Sequence, residues 1–469
     1  VSSSFSALSV RRRGAVRLAC ATLVSGLVAL GVLTGAGTAT AEETTQSQGG
    51  ATATMGGLKT YGTAVIHENT GDQQVSAGLF EMSVDGGGTL QTYCVDIHNP
   101  TQRDAKYHET AWSGTSLGAN KSAGKIRWIL QHSYPQVNDL ATLAAKAGVK
   151  GGLTEQDAAA GTQVAIWRYS DHADVDAVGP QAEKLADYLQ KSALDVAEPE
   201  ASLTLDPPAV SGHPGELLGP VTVHTNATGV TVTPPADAAT SGVRIVGKNG
   251  KPLTSAADGS QVFFDVPEGA ATGSADITVQ ASTTVPVGRA FASETRSQTQ
   301  ILAGSSESTV SATASATWAK KGAIPALSAM ENCARRGVDI TAANQGDETF
   351  TFELMGIEHG IPAGETRTVT IPLQEDQPYD FTITGPGGLQ KRFTGILDCR
   401  THDAESGNAI QVLSEPSPAT VGGTADDTNL AATGGTSTTP LIAGIAIALV
   451  VIGGAALVLV GKKDAPTQD

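Results

Sequence analysis

Two apolar stretches, one near each end of the sequence, decide the compartment in which the rest of the chain must fold. The first, residues 15–38, is broken only by Arg17. It follows Arg11, Arg12 and Arg13 and closes on Ala39-Thr40-Ala41. A positive flank, an apolar run and a small-residue site make residues 1–41 a secretory signal, cleaved before Glu42. The arginines suit a twin-arginine or a general secretion route; an N-terminal membrane anchor is the alternative. The second stretch, residues 441–460, is uncharged and long enough to span a bilayer as a helix. Lys462 and Lys463 follow it, as a cytoplasmic flank would. The chain between Glu42 and Leu430 is therefore expected to be secreted and exposed at the cell surface.

That compartment gives the cysteine count a meaning. Of four cysteines, Cys20 leaves with the signal. Cys94, Cys333 and Cys399 remain, an odd number in an oxidising environment. Cys333 and Cys399 bracket a strand-rich block and are expected to close it as a disulfide. Cys94 is left over, and a thiol outside a cell is usually oxidised or otherwise occupied.

A length of 469 residues predicts two to four domains. A net charge of −17, without a long basic run, argues against nucleic acid as a partner. Residues 42–57 are polar and Gly/Thr-rich, and are expected to be a disordered leader. Residues 58–198 mix strand and helix signals and hold Trp112, Trp128 and Trp167. Residues 199–320 carry short Val/Thr strands such as Val221-Thr222-Val223 and Val230-Thr231-Val232, separated by Pro and Gly turns. That spacing predicts an Ig-like β-sandwich. Residues 321–402, with Phe350-Thr351-Phe352 and Phe381-Thr382-Ile383, predict a second one, stapled by the disulfide. Residues 403–429 read as a linker. The fold class expected is thus multidomain: an α+β domain, two all-β domains, a linker and a terminal hydrophobic helix.

Within 58–198, residues 80–84 and 89–97 flank Asp85-Gly86-Gly87-Gly88 and read as a β-hairpin. On its second strand Tyr93, Val95 and Ile97 share one face; Thr92, Cys94 and Asp96 share the other. Cys94 is therefore expected off the plainly apolar face. Thr154 and Asp157 have capping-box spacing, so a helix should run to about Tyr169. On it Gln163 has Ala159 and Ala160 one turn before and Ile166 and Trp167 one turn after. A glutamine thus sits on the stripe that should be buried, where an unpartnered amide costs about 1–3 kcal/mol. The small alanines leave room for another segment to approach.

Tyr93-Cys94-Val95-Asp96 and Thr162-Gln163-Val164-Ala165-Ile166-Trp167 resemble the two signatures of the thioester domains of Gram-positive surface proteins, in the family's order. Val95 stands where isoleucine is also used. The resemblance implies an internal thioester between Cys94 and Gln163, formed autocatalytically, with Tyr93, Asp96, Thr162 and Trp167 as supporting residues. Such a bond acylates an amine, taken as lysine, on a partner surface. It reacts once, needs no cofactor and is not an enzyme's turnover. His98, His108 and His172 are candidates for proton transfer. Leu430-Ala431-Ala432-Thr433-Gly434 resembles a sortase sorting signal, in the form used by class E sortases of high-GC Gram-positive bacteria. The commoner form has proline where Ala431 stands. Sortase and peptidoglycan are then partners, with Thr433 joined to the wall; an ordinary single-span anchor is the alternative. Competing functions are a non-covalent stalk and a cysteine-dependent enzyme. Lys248, Lys251 and Lys391 are the lysines available for isopeptide cross-links in the β domains, and read as solvated. No metal-ligand spacing is evident.

Overall fold

The computed structural model describes residues 49–400. The expected secretion signal and linker, the Leu430–Gly434 motif and the apolar stretch after it lie outside the described residues. Among the described residues, no helix is long and apolar enough to cross a membrane.

The chain opens with a long hairpin, β1 (Thr52–Glu68) and β2 (Gly71–Val84), paired in register from Ala53↔Val84 to Glu68↔Gly71. This corrects the expected leader: residues from Gly50 on are ordered. Gly50 bridges to Ser311, and Ala51, Ala53 and Met55 are buried. The small side chains of Gly50, Ala51 and Ala53 carry little apolar signal, yet smallness is what the site demands. A Cβ on Gly50 would stand 2.5 Å from the Glu109 carboxylate. β3 (Thr89–Cys94) returns along β2, and β4 (Lys106–Thr110) pairs with the start of β1. Helices α1 (Ala123–His132), α2 (Leu140–Lys146), α3 (Glu155–Ser170) and α4 (Pro180–Ser192) follow, with the short β5 (Val175–Ala177) between the last two.

The next region is built from two sheets. One has four strands: β6 (Leu203–Asp206), β8 (Leu217–Thr225), β10 (Arg244–Gly247) and β12 (Gln261–Asp265). The other has five: β7 (Ala209–Gly212), β9 (Val230–Thr233), β11 (Ser255–Ala256), β13 (Gly273–Thr284) and β16 (Glu307–Trp318). Alternation buries Val221, Val223, Val230, Val232, Ile277 and Val279.

The boundary expected at residue 198 does not separate this region from the first. Between β13 and β16 the chain leaves its own sheet as a hairpin, β14 (Ala290–Ser293) and β15 (Gln300–Ser305). The hairpin inserts into the N-terminal sheet, whose order is β2-β3-β15-β14-β4-β1-β5. β15 pairs with β3 and β14 with β4, both antiparallel. Residues 49–318 consequently share one hydrophobic core.

Residues 323–400 have a separate core around Val338, Ile340, Phe350 and Phe393. Three small sheets enclose it. β17 (Pro325–Asn332), β18 (Gly337–Asn344) and β21 (Thr366–Pro372) form one; β19 (Phe350–Leu354) with β20 (Ile357–Ile361), and β22 (Gln377–Thr384) with β23 (Gln390–Leu397), form the others. Cys333 and Cys399 are joined in a disulfide across 66 residues. Closing a loop of that length should stabilise this region by about 2–5 kcal/mol. The double variant Cys333→Ala/Cys399→Ala is expected to unfold at lower urea by a corresponding margin, with residues 49–318 unfolding as before.

Candidate functional site

Cys94 is the last residue of β3, and Gln300 of β15 is its cross-strand partner. With β2 on the other side, β3 is an interior strand. Tyr93, Cys94, Val95 and Asp96 are all buried. The expected division into an apolar and a less apolar face is therefore wrong: both faces are covered, and the strand ends at Cys94 rather than Ile97.

Gln163 comes from α3. Thr154 Oγ1 accepts from the Asp157 amide at 3.0 Å, and Asp157 Oδ2 accepts from the Thr154 amide at 3.0 Å, so the capping box fixes where the helix starts. Every residue from Ala158 to Trp167 is buried, between the β1–β2 hairpin and α4. Small residues allow the close approach: a Cβ on Gly62 of β1 would stand 3.0 Å from the Ala160 Cβ.

The two elements bring Cys94 and Gln163 together. The Cys94 amide donates to Gln163 Oε1 at 3.1 Å, and Gln163 Nε2 donates to the Cys94 carbonyl at 2.9 Å. The side-chain amide is thus held by both backbone groups of a single residue, much as a strand would be. In that position Cys94 Sγ lies 3.3 Å from Oε1. Cys94 is a free thiol, 1% exposed, and Gln163 is 0% exposed.

Burial pushes the thiol pKa well above its ordinary value, and the carboxylates of Asp171 and Asp96 push it the same way. The Trp167 indole N–H opposes them, because it faces the sulfur and favours the thiolate. Its Nε1 has no conventional acceptor of its own. Asp171 closes α3, and burial and the neighbouring Asp96 push its own pKa well above the usual carboxylate range, although Ser170 and the Ile97 amide donate to it at 2.5 and 3.0 Å.

Of the other expected residues, Tyr93 donates its hydroxyl to the Tyr134 carbonyl at 2.9 Å. Burial raises its pKa while the Thr162 hydroxyl lowers it. Thr162 Oγ1 donates back to the Ala158 carbonyl at 2.7 Å. Asp96 Oδ1 accepts from the His98 amide. The histidines are scattered. His98 Nδ1 lies 3.7 Å from Glu68, His172 is exposed, and His108 lines a cavity with Glu331 and Tyr379. Burial pushes the His108 pKa down to about 4. Lys248 and Lys251 are exposed and Lys391 is half-buried.

Residues 91–195, which contain both Cys94 and Gln163, match the thioester domain family (TED). The chain carries a thioester domain. No curated protein matches it. Among solved structures it is similar to the Bacillus anthracis TIE protein, at 15% identity and a TM-score of 0.27 over 74% of this chain and 63% of that one. It is also similar to the thioester domain of the Enterococcus faecium TIE86 protein, at 16% identity and a TM-score of 0.27 over 58% of this chain and 97% of that one. This chain therefore spans a little under two thirds of the B. anthracis protein.

Several residues around the Cys94–Gln163 pair were not singled out in the sequence: Asp171, Thr299, Gln300 and Asp398. Thr92 Oγ1 donates to Gln300 Oε1 at 2.9 Å, and the Val95 amide donates to the Thr299 carbonyl at 3.2 Å. Asp171 alone carried a usable signal. A carboxylate at a helix C-terminus opposes the helix dipole and calls for another reason to be there.

Proposed function

We propose that Cys94 and Gln163 join as an internal thioester and that the protein is a surface adhesin binding its partner covalently. The observation that carries this is the two-point hold on the Gln163 amide. It holds Oε1, and with it the carbonyl group, 3.3 Å from Cys94 Sγ and on a backbone N–H donor. Charge that develops on Oε1 during attack is thereby stabilised. Sγ forms a bond to the Gln163 carbonyl carbon, the carbon–nitrogen bond breaks, and ammonia leaves with the thiol proton. An amide is a poor electrophile, but effective molarities of about 10⁵–10⁸ M for well-oriented groups offset this. Burial slows hydrolysis of the product.

The thioester then acylates an amine, such as a lysine side chain of a partner. Cys94 leaves as a thiol and an amide bond holds the two molecules together. Each molecule reacts once, which makes it a covalent binder rather than an enzyme. In this reading the β regions support the thioester site, the first by sharing its core and lending its sheet two strands. Leu430-Ala431-Ala432-Thr433-Gly434 is the substrate of a sortase, of class E by its alanine, and Thr433 is joined to peptidoglycan at the cell surface.

Intact-mass measurement of the purified ectodomain is expected to show a deficit of one ammonia. Cys94→Ala and Gln163→Ala should each abolish it, and methylamine should convert the deficit into an adduct. A wild-type mass without the deficit would leave a non-covalent stalk as the function.

A further inference from the structure

The disulfide-stapled region 323–400 reaches the thioester site. Cys333 donates its amide to the Ser113 carbonyl at 2.9 Å. Arg296, in the turn of the β14–β15 hairpin, donates to the Asp376 carbonyl at 3.4 Å. Between these two fastenings Thr299 Oγ1 donates to Asp398 Oδ2 at 3.2 Å. Thr299 is the residue whose carbonyl accepts from the Val95 amide, and its neighbour Gln300 is paired with Cys94. Only two hydrogen bonds therefore separate the Asp398 carboxyl from the residue after Cys94. The disulfide fixes the other end of this chain of contacts. Cys399 follows Asp398 directly, and Cys333, its bonded partner, is the residue attached to Ser113.

We propose that Asp398 is a positioning residue of the thioester site: through Thr299 it fixes the exit of β3, and so the placement of Cys94 against Gln163. This rests on the thioester reading given above. It makes the reaction depend on region 323–400, which lies outside the matched residues 91–195. The hydrogen bond from Thr299 needs an acceptor at position 398 but not a charge. The surroundings disfavour a charge there. Burial, then Asp96, Glu375 and Asp376, push the Asp398 pKa up to about 8. Tyr107 of β4 and Glu331 of β17 also face it.

The sign of the pH effect follows. A carboxyl whose pKa is raised by docking favours the docked state fully below the ordinary carboxylate range. That preference is lost as the pH rises through about 8. Asparagine keeps the acceptor and cannot ionise, so it removes this loss.

The test is the rate of methylamine addition to the purified ectodomain, followed by intact mass from pH 6 to pH 9. Loss of one hydrogen bond in the chain should slow Asp398→Ala by about three- to tenfold below pH 7, the gap narrowing above pH 8 as wild type ionises. Asp398→Asn should stay within about twofold of wild type below pH 7 and overtake it above pH 8. Thr299→Val, which keeps shape and loses the donor, should reproduce Asp398→Ala, and Thr299→Ser should not. If Asp398→Ala and Thr299→Val match wild type, or if Asp398→Asn is as slow as Asp398→Ala, the positioning role is overturned while the thioester stands. A wild-type protein lacking the ammonia deficit overturns both.

Discussion

A fragment of residues 49–198 is expected to form no thioester, whereas residues 49–320, which keep the β14–β15 hairpin but lose Asp398, still form it, more slowly than the longer chain. The shorter fragment contains Cys94, Gln163 and all the residues of the family match. What it lacks is the β14–β15 hairpin. Removing that hairpin leaves β3 without its partner from Gln300↔Cys94 to Ser305↔Leu90, and β4 without its partner from Ala290↔Thr110 to Ser293↔Tyr107. It also strips buried Phe291, Ile301 and Leu302 from the core. Each such side chain contributes about 1.5–3 kcal/mol, so the apolar loss alone approaches the 5–15 kcal/mol of a typical domain. Two interior strands become open edges that invite aggregation. Intact mass and near-ultraviolet circular dichroism of the two fragments check this. A soluble, ammonia-deficient 49–198 fragment would show that the hairpin is dispensable.

The elements that carry Cys94 and Gln163 were legible from local signals, and their pairing from the resemblance of the two motifs to the thioester-domain signatures. A Gly-rich turn places the strand that carries Cys94. The Thr154–Asp157 box places the helix that carries Gln163, although that helix is buried on every side from Ala158 to Trp167, so its phase alone does not single Gln163 out. The remainder depends on pairings that no local pattern encodes. Cys94 and Gln300 are over two hundred positions apart. Residues 290–305 hold only short apolar stretches, at Ala290-Phe291-Ala292 and Ile301-Leu302-Ala303, and nothing in them announces that they belong to a different sheet. The start of β1 was hidden for another reason: Ala51 and Ala53 are buried by virtue of being small. Two-sided burial of β3 also blurred the facial argument, because an interior strand covered on both sides has no exposed polar face to read. Asp398 looks in the sequence like any acidic residue before a cysteine. Only the fold of region 323–400 brings it to Thr299.

The second large effect concerns the group that fastens the inserted hairpin. Glu109 of β4 is fully buried, and its carboxylate gathers three separate parts of the chain. It accepts from the Ala51 amide at 3.2 Å, from the Ser202 amide at 2.9 Å and from the Ser202 hydroxyl. Arg289, just before β14, adds its Nε at 2.9 Å and extends Nη1 to Glu198 at 2.9 Å. The N-terminal strand, the link from α4 to β6 and the hairpin therefore converge on one carboxylate. Arg289→Met keeps most of the side-chain volume but leaves that carboxylate without its counter-charge, which should cost about 3–5 kcal/mol. The exposed pair Arg367–Glu365, at 2.8 Å, is the control. Solvent screens it, so Arg367→Met should change stability by no more than about 1 kcal/mol. Urea unfolding of the two variants at neutral pH separates the cases. Because Arg289 lies on the strand pair that flanks β3, its loss should also lower the fraction of protein carrying the ammonia deficit. Equal urea midpoints for the two variants would mean that the convergence on Glu109 adds no more than a surface ion pair does. The hairpin would then be held by its backbone ladder and apolar side chains alone.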